Sequence, residues 1–446
     1  MYAFYSRKIT LFLCVLFVSL AAFAQSYEVK GGEGTPLLAM EDKPNRLEVY
    51  VVHGAKDVLL TYTSASSSHT WYRFKTKALE AEPVESEQNG TTSTVKSPEE
   101  GYGYFVKEAN IMHQRYVWLV DYAAHPISLN TLTLAEGFDA CSSLRLAGDL
   151  QMDKIVYHQP TTGIPMELKR RFEVSYSTLE WDESMTDFKE KDLTETVEGN
   201  PFEVSLLPPL CDTQITLSGD HFAKHFGKEQ SRTIEHYSAV AVEAHGDTLF
   251  VPDESEYLMT EGEGFSAPAT ISFTAVANEP VAALYIWKIY STEEGVENPL
   301  IRFTGSEIEY TFTRFGEYTA ELEVADRSGV CKDNSQSFTF QIMESGLKIP
   351  NTFTPGTSPG VNDFFQVKYK SLISFKGTIF NRWGTELFHW TNPAEGWDGK
   401  KGNRYVPPGV YFYVIEAEGS DGIKYLEKGD INVIRPKEIN DEIIEE

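Results

Sequence analysis

The stretch that decides the fold is FKGTIFNRWGTELFHW at residues 375–390, continued by GWDGKKGNRYVPPGVYFYVIEAEGSDG at 396–422 and KGDINVIR at 428–435. Short runs of β-branched and aromatic residues, typical of strands, alternate in it with clusters of Gly, Pro, Asn and Asp. The clusters predict turns, because Gly permits positive φ, Pro fixes φ, and Asn or Asp bonds to the local backbone. The run at 409–417 is apolar on both faces, which predicts a central strand. The segment is therefore predicted to be a small β-sandwich.

The same segment carries several short strings in a fixed order, namely PNTFTP (350–355), GVND (360–363), IFNRWG (379–384), GWDG (396–399) and PPGVY (407–411). In these strings it resembles the gliding-motility-associated C-terminal domain of Bacteroidetes, the type B sorting domain of the type IX secretion system. The resemblance implies that residues 347–436 form a sorting domain that the type IX secretion machinery reads as an export address. It also implies that cleavage near 344–348 could release this domain.

The chain departs from that family at residues 356–363, where GTSPGVND replaces an acidic stretch that looks like a Ca²⁺ loop. Calcium prefers several carboxylate and carbonyl oxygens, and the upstream Asp is missing here. We therefore expect no calcium site, and expect Asp363 to hydrogen-bond the turn. Trp383 and Trp397 could form a sugar-stacking site, but aromatic residues of a compact β-domain usually fill the core. We favour the core interpretation for both.

The N-terminus also predicts export. Arg7 and Lys8 precede the apolar stretch at 11–20, and AFA at 22–24 has the small-x-small pattern of a cleavage site. This order is typical of a secretory signal peptide, which we assign to residues 1–24. The apolar stretch is too short to predict a membrane span.

The remainder is predicted to be all-β, as tandem immunoglobulin-like β-sandwiches, because short strands recur around inner tryptophans. GEYTAELEVADRSG at 316–329 is similar to the ending of polycystic-kidney-disease (PKD) type sandwiches, although the acidic motif that this family carries after its tryptophan is missing. The predicted units are two sandwiches at 25–135 and 136–257, a PKD-like sandwich at 258–346, the sorting domain at 347–436 and an acidic tail at 437–446.

Charge and cysteines narrow the possible partners. The formal net charge of −27 argues against nucleic acid, whose phosphates would be repelled. Cys14 belongs to the predicted signal peptide, and export would place the other three cysteines where disulfides form. Cys141 and Cys211 bracket one predicted domain, so we predict a possible disulfide between them. Cys331 would then be the odd thiol.

No catalytic motif stands out, so we predict that the chain is not an enzyme. It lacks a G-x-S-x-G elbow, a phosphate-binding loop and an H-E-x-x-H sequence. His221 and His225 have helical i, i+4 spacing that could present two imidazoles to a metal, with His236 and His245 further along. Phe222 stands where a metalloprotease carries Glu, and surface histidines are the simpler interpretation. We predict no metal and no cofactor.

A binding role fits this sequence better than catalysis. Loops at the ends of sandwiches can carry recognition on a rigid scaffold. The polar stretches at 82–100 and 182–199 are candidate contact loops, or else solvated loops without a partner. We predict an exported, non-enzymatic binding or spacer protein, at the cell surface or outside the cell, whose ligand the sequence does not identify. The alternative is an accessory component of the secretion or gliding apparatus at the outer membrane.

Overall fold

The computed structural model describes residues 26–109, 114–250, 258–259, 263–357 and 360–435. The predicted signal peptide (1–24) and acidic tail (437–446) lie outside the described residues. Strands dominate the described part, which confirms the predicted all-β class with tandem β-sandwiches. Its helical elements are one α-helix, α1 (His221–His225), and the 3₁₀ turns Ala55–Asp57, Ala78–Glu80, Tyr122–Ala124 and Pro201–Glu203. Across these ranges no helix has the length and hydropathy that a membrane crossing requires.

The first sandwich packs a four-stranded sheet, β1-β4-β8-β7, against a six-stranded sheet, β2-β3-β10-β9-β5-β6. Trp71, fully buried, lies in the core between the sheets. Its strands are β1 (Ser26–Gly31), β2 (Leu37–Asp42), β3 (Leu47–Val52), β4 (Val58–Thr63), β5 (Thr70–Phe74), β6 (Glu82–Val84), β7 (Glu87–Asn89), β8 (Thr92–Lys96), β9 (Tyr102–Lys107) and β10 (Tyr116–Asp121).

The prediction of a loop at residues 82–100 is wrong, because β6, β7 and β8 lie within it. The composition is polar because these strands face water on one side. Thr94 and Thr92 pair with threonines of β4 across the sheet, with Oγ1 to Oγ1 distances of 3.2 Å. Threonine favours strands, and such cross-strand pairs stabilise a sheet.

The second unit has a four-stranded sheet, β16-β15-β17-β18, and two separate hairpins, β11-β12 and β13-β14. The predicted excursion at 182–199 is instead mostly strand β16, which pairs with β15 along its whole length. The strands are β11 (Ser128–Leu134), β12 (Leu146–Gln151), β13 (Ile155–His158), β14 (Pro165–Leu168), β15 (Arg171–Asp182), β16 (Asp187–Glu198), β17 (Thr213–Gly219) and β18 (Gln230–Tyr237).

The first two units share a hydrophobic cluster. The β13-β14 hairpin and helix α1 cover the outer face of the six-stranded sheet, where Trp118, Tyr157 and Phe222 are all buried together. Arg170 and Asp220 form a buried ion pair beside this cluster. Asp220 also caps α1 by accepting the N–H of Ala223 at 2.8 Å. The two units therefore fold against each other as one body.

The third sandwich begins earlier than predicted. Residues 244–250 were expected in the second unit, but this strand, β19, pairs with β20 and belongs to the third. The two sheets are β19-β20-β23 and β22-β21-β24-β25, with Trp287 fully buried between them. The strands are β19 (Ala244–Phe250), β20 (Ala269–Ala277), β21 (Ala282–Ser291), β22 (Ile301–Thr304), β23 (Glu307–Phe312), β24 (Gly316–Asp326) and β25 (Lys332–Ile342).

The prediction of a Cys141–Cys211 disulfide is wrong, because the structure pairs Cys141 with Cys331 across 190 residues of sequence. Each partner lies in a turn held by an aspartate, since Asp139 accepts the N–H of Cys141 and Asp326 accepts the N–H of Cys331. The two turns meet between the second and third units. Cys211 is left as the free cysteine among those that the structure describes.

The C-terminal domain is built on a five-stranded sheet in the order β27-β34-β33-β29-β30, so the prediction that the strand at 409–417 is central is confirmed. Strand β27 pairs with β34 in parallel, and the other pairings of this sheet are antiparallel. The strands are β26 (Gly346–Lys348), β27 (Thr352–Phe353), β28 (Lys368–Lys370), β29 (Leu372–Phe380), β30 (Glu386–Trp390), β31 (Lys400–Lys401), β32 (Arg404–Tyr405), β33 (Gly409–Gly419) and β34 (Lys424–Val433).

Candidate recognition groove of the C-terminal domain

The two tryptophans singled out in the sequence have opposite environments. Trp397 is fully buried, and its indole N–H donates to the carbonyl of Lys400 at 2.8 Å, so its predicted core position is confirmed. Trp383 is 73% exposed, so the same prediction is wrong for it. All seven tryptophans lie in the described ranges, and Trp383 alone is mostly exposed.

A rigid turn holds Trp383 out from the domain. The side-chain oxygen of Asn381 accepts the N–H groups of Trp383 and Thr385, at 3.0 and 2.9 Å. Gly384 has φ of +78°, a conformation that strongly favours glycine. The turn is therefore fixed by its own hydrogen bonds, and the indole is displayed without being packed.

The exposed indole lies beside an apolar face of the central strand. Alternation along β33 buries Tyr411 in the core and turns Val410 and Phe412 outward, where they are 50% and 44% exposed. Phe380 lies directly opposite Phe412 on the neighbouring strand. The Tyr411 hydroxyl donates to the carbonyl of Pro407 at 2.8 Å, which fixes the turn that begins β33, and burial raises the pKa of this phenol.

These residues line a groove of about 740 Å³, within the range of ligand pockets. We call it the groove throughout. Its lining includes both apolar and cationic side chains, namely Arg382, Trp383, Lys401, Arg404, Tyr405, Val410 and Phe412. Large exposed apolar side chains grouped in this way are typical of interaction sites rather than of ordinary surface.

Positive charge surrounds the groove, although the chain as a whole has a formal charge of −27. The guanidinium of Arg382 lies 4.3 Å from the ring centroid of Trp383. Tyr405 has the Lys400 ammonium at 4.8 Å and the Arg435 guanidinium at 4.1 Å from its ring centroid. A hydrogen bond to Asp398 is the main cause that raises the pKa of Lys400. The groove thus combines aromatic faces with cations, a composition that suits a ligand with apolar and acidic groups.

A second feature of this domain is its junction with the third sandwich, which we call the Ser345 clasp. The Asp421 carboxylate accepts the N–H of Ser345 at 2.9 Å and its hydroxyl at 2.8 Å. The Ser345 hydroxyl oxygen also lies 2.7 Å from that of Tyr425. Burial raises the pKa of Asp421, but the hydrogen bonds from Ser345 and from the Ile423 N–H outweigh it, so the net pKa lies below its usual value. The segment at which cleavage was predicted, 344–348, is therefore tied into the fold.

The candidate metal ligands are separated and engaged elsewhere. On α1, His221 Nδ1 accepts the N–H of Arg171 at 3.1 Å, and His225 Nε2 donates to a backbone carbonyl of the first sandwich at 2.7 Å. Burial lowers the pKa of His221 to about 4. His236 and His245 lie on the later strands β18 and β19. Within the residues that the structure describes, no three His, Cys, Asp or Glu side chains are grouped so as to hold a metal.

Residue Asp363 behaves as the sequence predicts. Its carboxylate accepts the N–H of Gly360 at 2.6 Å, a bond within the turn that replaces the family's acidic stretch. This turn follows residues 358–359, which lie outside the described ranges.

Sequence reasoning missed a buried polar cluster in the first sandwich. Ser64 Oγ donates to Glu108 at 2.7 Å and lies 3.0 Å from His69 Nε2. His69 Nδ1 lies 2.8 Å from Ser93 Oγ, which accepts the indole N–H of Trp71 at 2.7 Å. The grouping superficially looks like a Ser-His-acid triad. However, the Ser64 proton goes to the carboxylate, which leaves His69 as a donor rather than a base, and the side chains of His69 and Glu108 are 0% and 5% exposed. The cluster is suited to stabilising the fold.

Comparison with protein families identifies two segments. Residues 347–433 match the model of the CHU_C type IX secretion signal domain. Residues 133–234 match the model of a fibronectin type III domain, Fn3_FA. Neither match reaches residues 264–344, so the PKD resemblance of the third sandwich stays a prediction. None of the curated proteins compared matches the chain.

Solved structures give distant likenesses only. A tetra-tandem repeat from the extending region of a large adhesion protein is 13% identical, with 85% of this chain and 96% of that chain covered and a TM-score of 0.21. A Ca²⁺-stabilised, ice-binding adhesin of an Antarctic bacterium is 11% identical, with 91% and 99% covered and a TM-score of 0.20. Latent PorU of Porphyromonas gingivalis is 10% identical, with 72% and 35% covered and a TM-score of 0.15. Nothing about this chain is argued from scores this low.

Proposed function

We propose that this chain is an exported protein, displayed at the cell surface or released, whose C-terminal domain is read by the type IX secretion machinery. One observation carries the proposal. The segment that matches the type IX secretion signal family, 347–433, folds as a domain with its own sheet and core. A complete domain of this kind can be recognised as a folded surface.

The groove is the part of that domain best suited to be recognised. Binding energy at interfaces concentrates on Trp, Tyr and Arg, and the groove presents Trp383, Tyr405 and two arginines together. Its basic rim stands out on an acidic protein, so it would attract an acidic partner while the rest of the chain repels one. We propose that a component of the export machinery with apolar side chains flanked by acidic ones contacts the groove.

The three preceding sandwiches serve, in this proposal, as a non-enzymatic binding or spacer region. Two observations support a stiff spacer. The first two units share the cluster around Trp118 and Phe222. The Cys141–Cys331 disulfide ties the second unit to the third. A covalent bond and a shared core both restrict the motion between neighbouring units, so a binding surface on the first sandwich would be held at a defined distance from the C-terminal domain.

The proposal is tested by localising the full chain in its own cells, with and without a working type IX secretion system. We expect the chain in the medium or open to added protease on intact parent cells, and in the periplasm of the secretion mutant. A periplasmic protein measured in both strains controls for leakage. An equal amount of the chain outside both strains would refute the proposal.

A further inference from the structure

The chain leaves the described residues at the edge of the groove. Strand β34 ends at Val433, and the N–H of Ile434 still donates to the carbonyl of Phe353 at 3.1 Å. Asn432 lies directly opposite Val410, so the outward face of the strand end continues the apolar side of the groove. The Arg435 guanidinium then lies 4.1 Å from the ring centroid of Tyr405, a lining residue. Residue 436 therefore starts next to the groove.

The segment that begins there complements the groove in both charge and hydropathy. Residues 436–446 read PKEINDEIIEE, with five acidic side chains interspersed with three isoleucines. The groove offers the opposite charge on Arg382, Lys401 and Arg404, and apolar surface on Trp383 and Phe412. Acidic groups pair with arginine, and isoleucine would cover aromatic surface that is otherwise exposed to water.

The segment is also long enough and close enough. A chain of this length spans up to roughly 35 Å when extended, at about 3.3 Å per residue. The lining residues Val410 and Phe412 are two positions apart on one strand, or roughly 7 Å. Because the segment is tethered at the groove, its effective local concentration is in the millimolar range, so weak contacts suffice to hold it.

We propose that residues 436–446 bind the groove of their own C-terminal domain, with isoleucines against the exposed aromatic face and acidic side chains on the basic rim. If the groove is also the surface read during export, which rests on the function proposed above, the tail competes with the machinery for it. The groove is then open for recognition only when the tail is displaced.

Acrylamide quenching of Trp383 fluorescence tests the tail directly. Of the other six tryptophans, five are at most 2% exposed, so the difference between the protein and its Trp383→Phe variant reports on Trp383. We expect the quenching constant of Trp383 to be low in the full chain and to rise severalfold in a chain that ends at Arg435. About 0.5 M NaCl should raise it in the full chain only, since salt screens the ion pairs. Equal quenching in the two chains at low salt would overturn the proposal.

A second variant keeps the test valid if the shortened chain does not fold. Arg382→Ser with Arg404→Ser in the full chain removes the basic rim and should expose Trp383 as the deletion does. Lys424→Ser, an exposed charge on the same domain, is the matched control and should leave quenching low. Unchanged quenching in the arginine variant would also refute tail binding. Both measurements use purified protein without secretion machinery, so a failure here is distinct from a failure of the proposed export route.

Discussion

The Ser345 clasp makes the junction before the C-terminal domain resistant to opening, and Asp421→Ala should release it. The carboxylate of Asp421 holds both the N–H and the hydroxyl of Ser345, at 2.9 and 2.8 Å. Ser420 Oγ adds a bond of 3.0 Å to the carbonyl of Met343, just before the junction. Strand β26, which follows, pairs with β28. Cleavage within 344–348 therefore requires this segment to detach first.

The magnitude follows from the bonds lost. A hydrogen bond to a charged group contributes about 1.5–3 kcal/mol, and two bonds to one partly exposed carboxylate add up to less than twice that, so we take about 2 kcal/mol for the pair. At 1.4 kcal/mol for each factor of ten, the open state of the junction should become about 30-fold more populated in Asp421→Ala.

Native-state hydrogen exchange, read on peptides that cover residues 344–349, measures this opening. We expect the protection of these amides to fall about 30-fold in Asp421→Ala, at 1.4 kcal/mol per factor of ten, and cleavage at exposed Glu344 to accelerate in parallel. Asp430→Ala is the control, since Asp430 lies opposite Phe412 at the other end of its strand. Protection in Asp421→Ala equal to that of the parent protein would refute the claim that the clasp holds the junction.

Three other predictions test separate parts of the structure. Reduction of the Cys141–Cys331 bond should lower the free energy of unfolding of the second and third units by up to about 5 kcal/mol, because it closes a loop of 190 residues; calorimetry with and without reductant measures this, and identical traces would contradict it. Trp397→Ala should cost about 3–5 kcal/mol and Trp383→Ala within about 0.5 kcal/mol in chemical unfolding, because only the first is buried, and equal losses would refute the assignment. The pKa of His221 is about 4, below its ordinary 6.5, so the stability it contributes is complete above pH 6.5 and is lost as pH falls towards 4. Roughly 1–2 kcal/mol of pH-dependent stability, reduced from full linkage by partial exposure, should be absent in His221→Asn, and an unchanged pH profile would show that this dependence does not arise from the His221 imidazole.

Local sequence patterns predicted much of the C-terminal domain. The run at 409–417 is central in its sheet, because its alternating residues and flanking turns are local features. The exposure of Trp383 was not predictable, since both tryptophans stand among similar turn residues. Trp397 finds a hydrogen-bond acceptor inside the domain, whereas the Asn381 turn displays Trp383. The groove depends on that difference, so the sequence alone did not reveal it.

Contacts between units explain the other errors. Cys141 and Cys331 meet because turns of two different sandwiches pack together, and spacing along the chain carries no signal of that. The polar strand β16 lies at the edge of its sheet, where charged side chains face water and prevent further pairing. Its composition therefore resembles a loop. Strand β19 was assigned to the wrong unit because pairing partners are chosen by tertiary packing rather than by sequence distance.

The most direct test of the central claim is the export of a full chain whose groove has been changed. Trp383→Ser with Phe412→Ser removes two exposed aromatic side chains from the groove, and Leu79→Ser removes a 95% exposed apolar side chain from the first sandwich as the control. Protease accessibility on intact cells, with the protein in the medium counted as exported, measures each chain. We predict that the groove variant is retained in the periplasm while the control is exported like the parent chain. Equal export of the groove variant and the control would contradict the account.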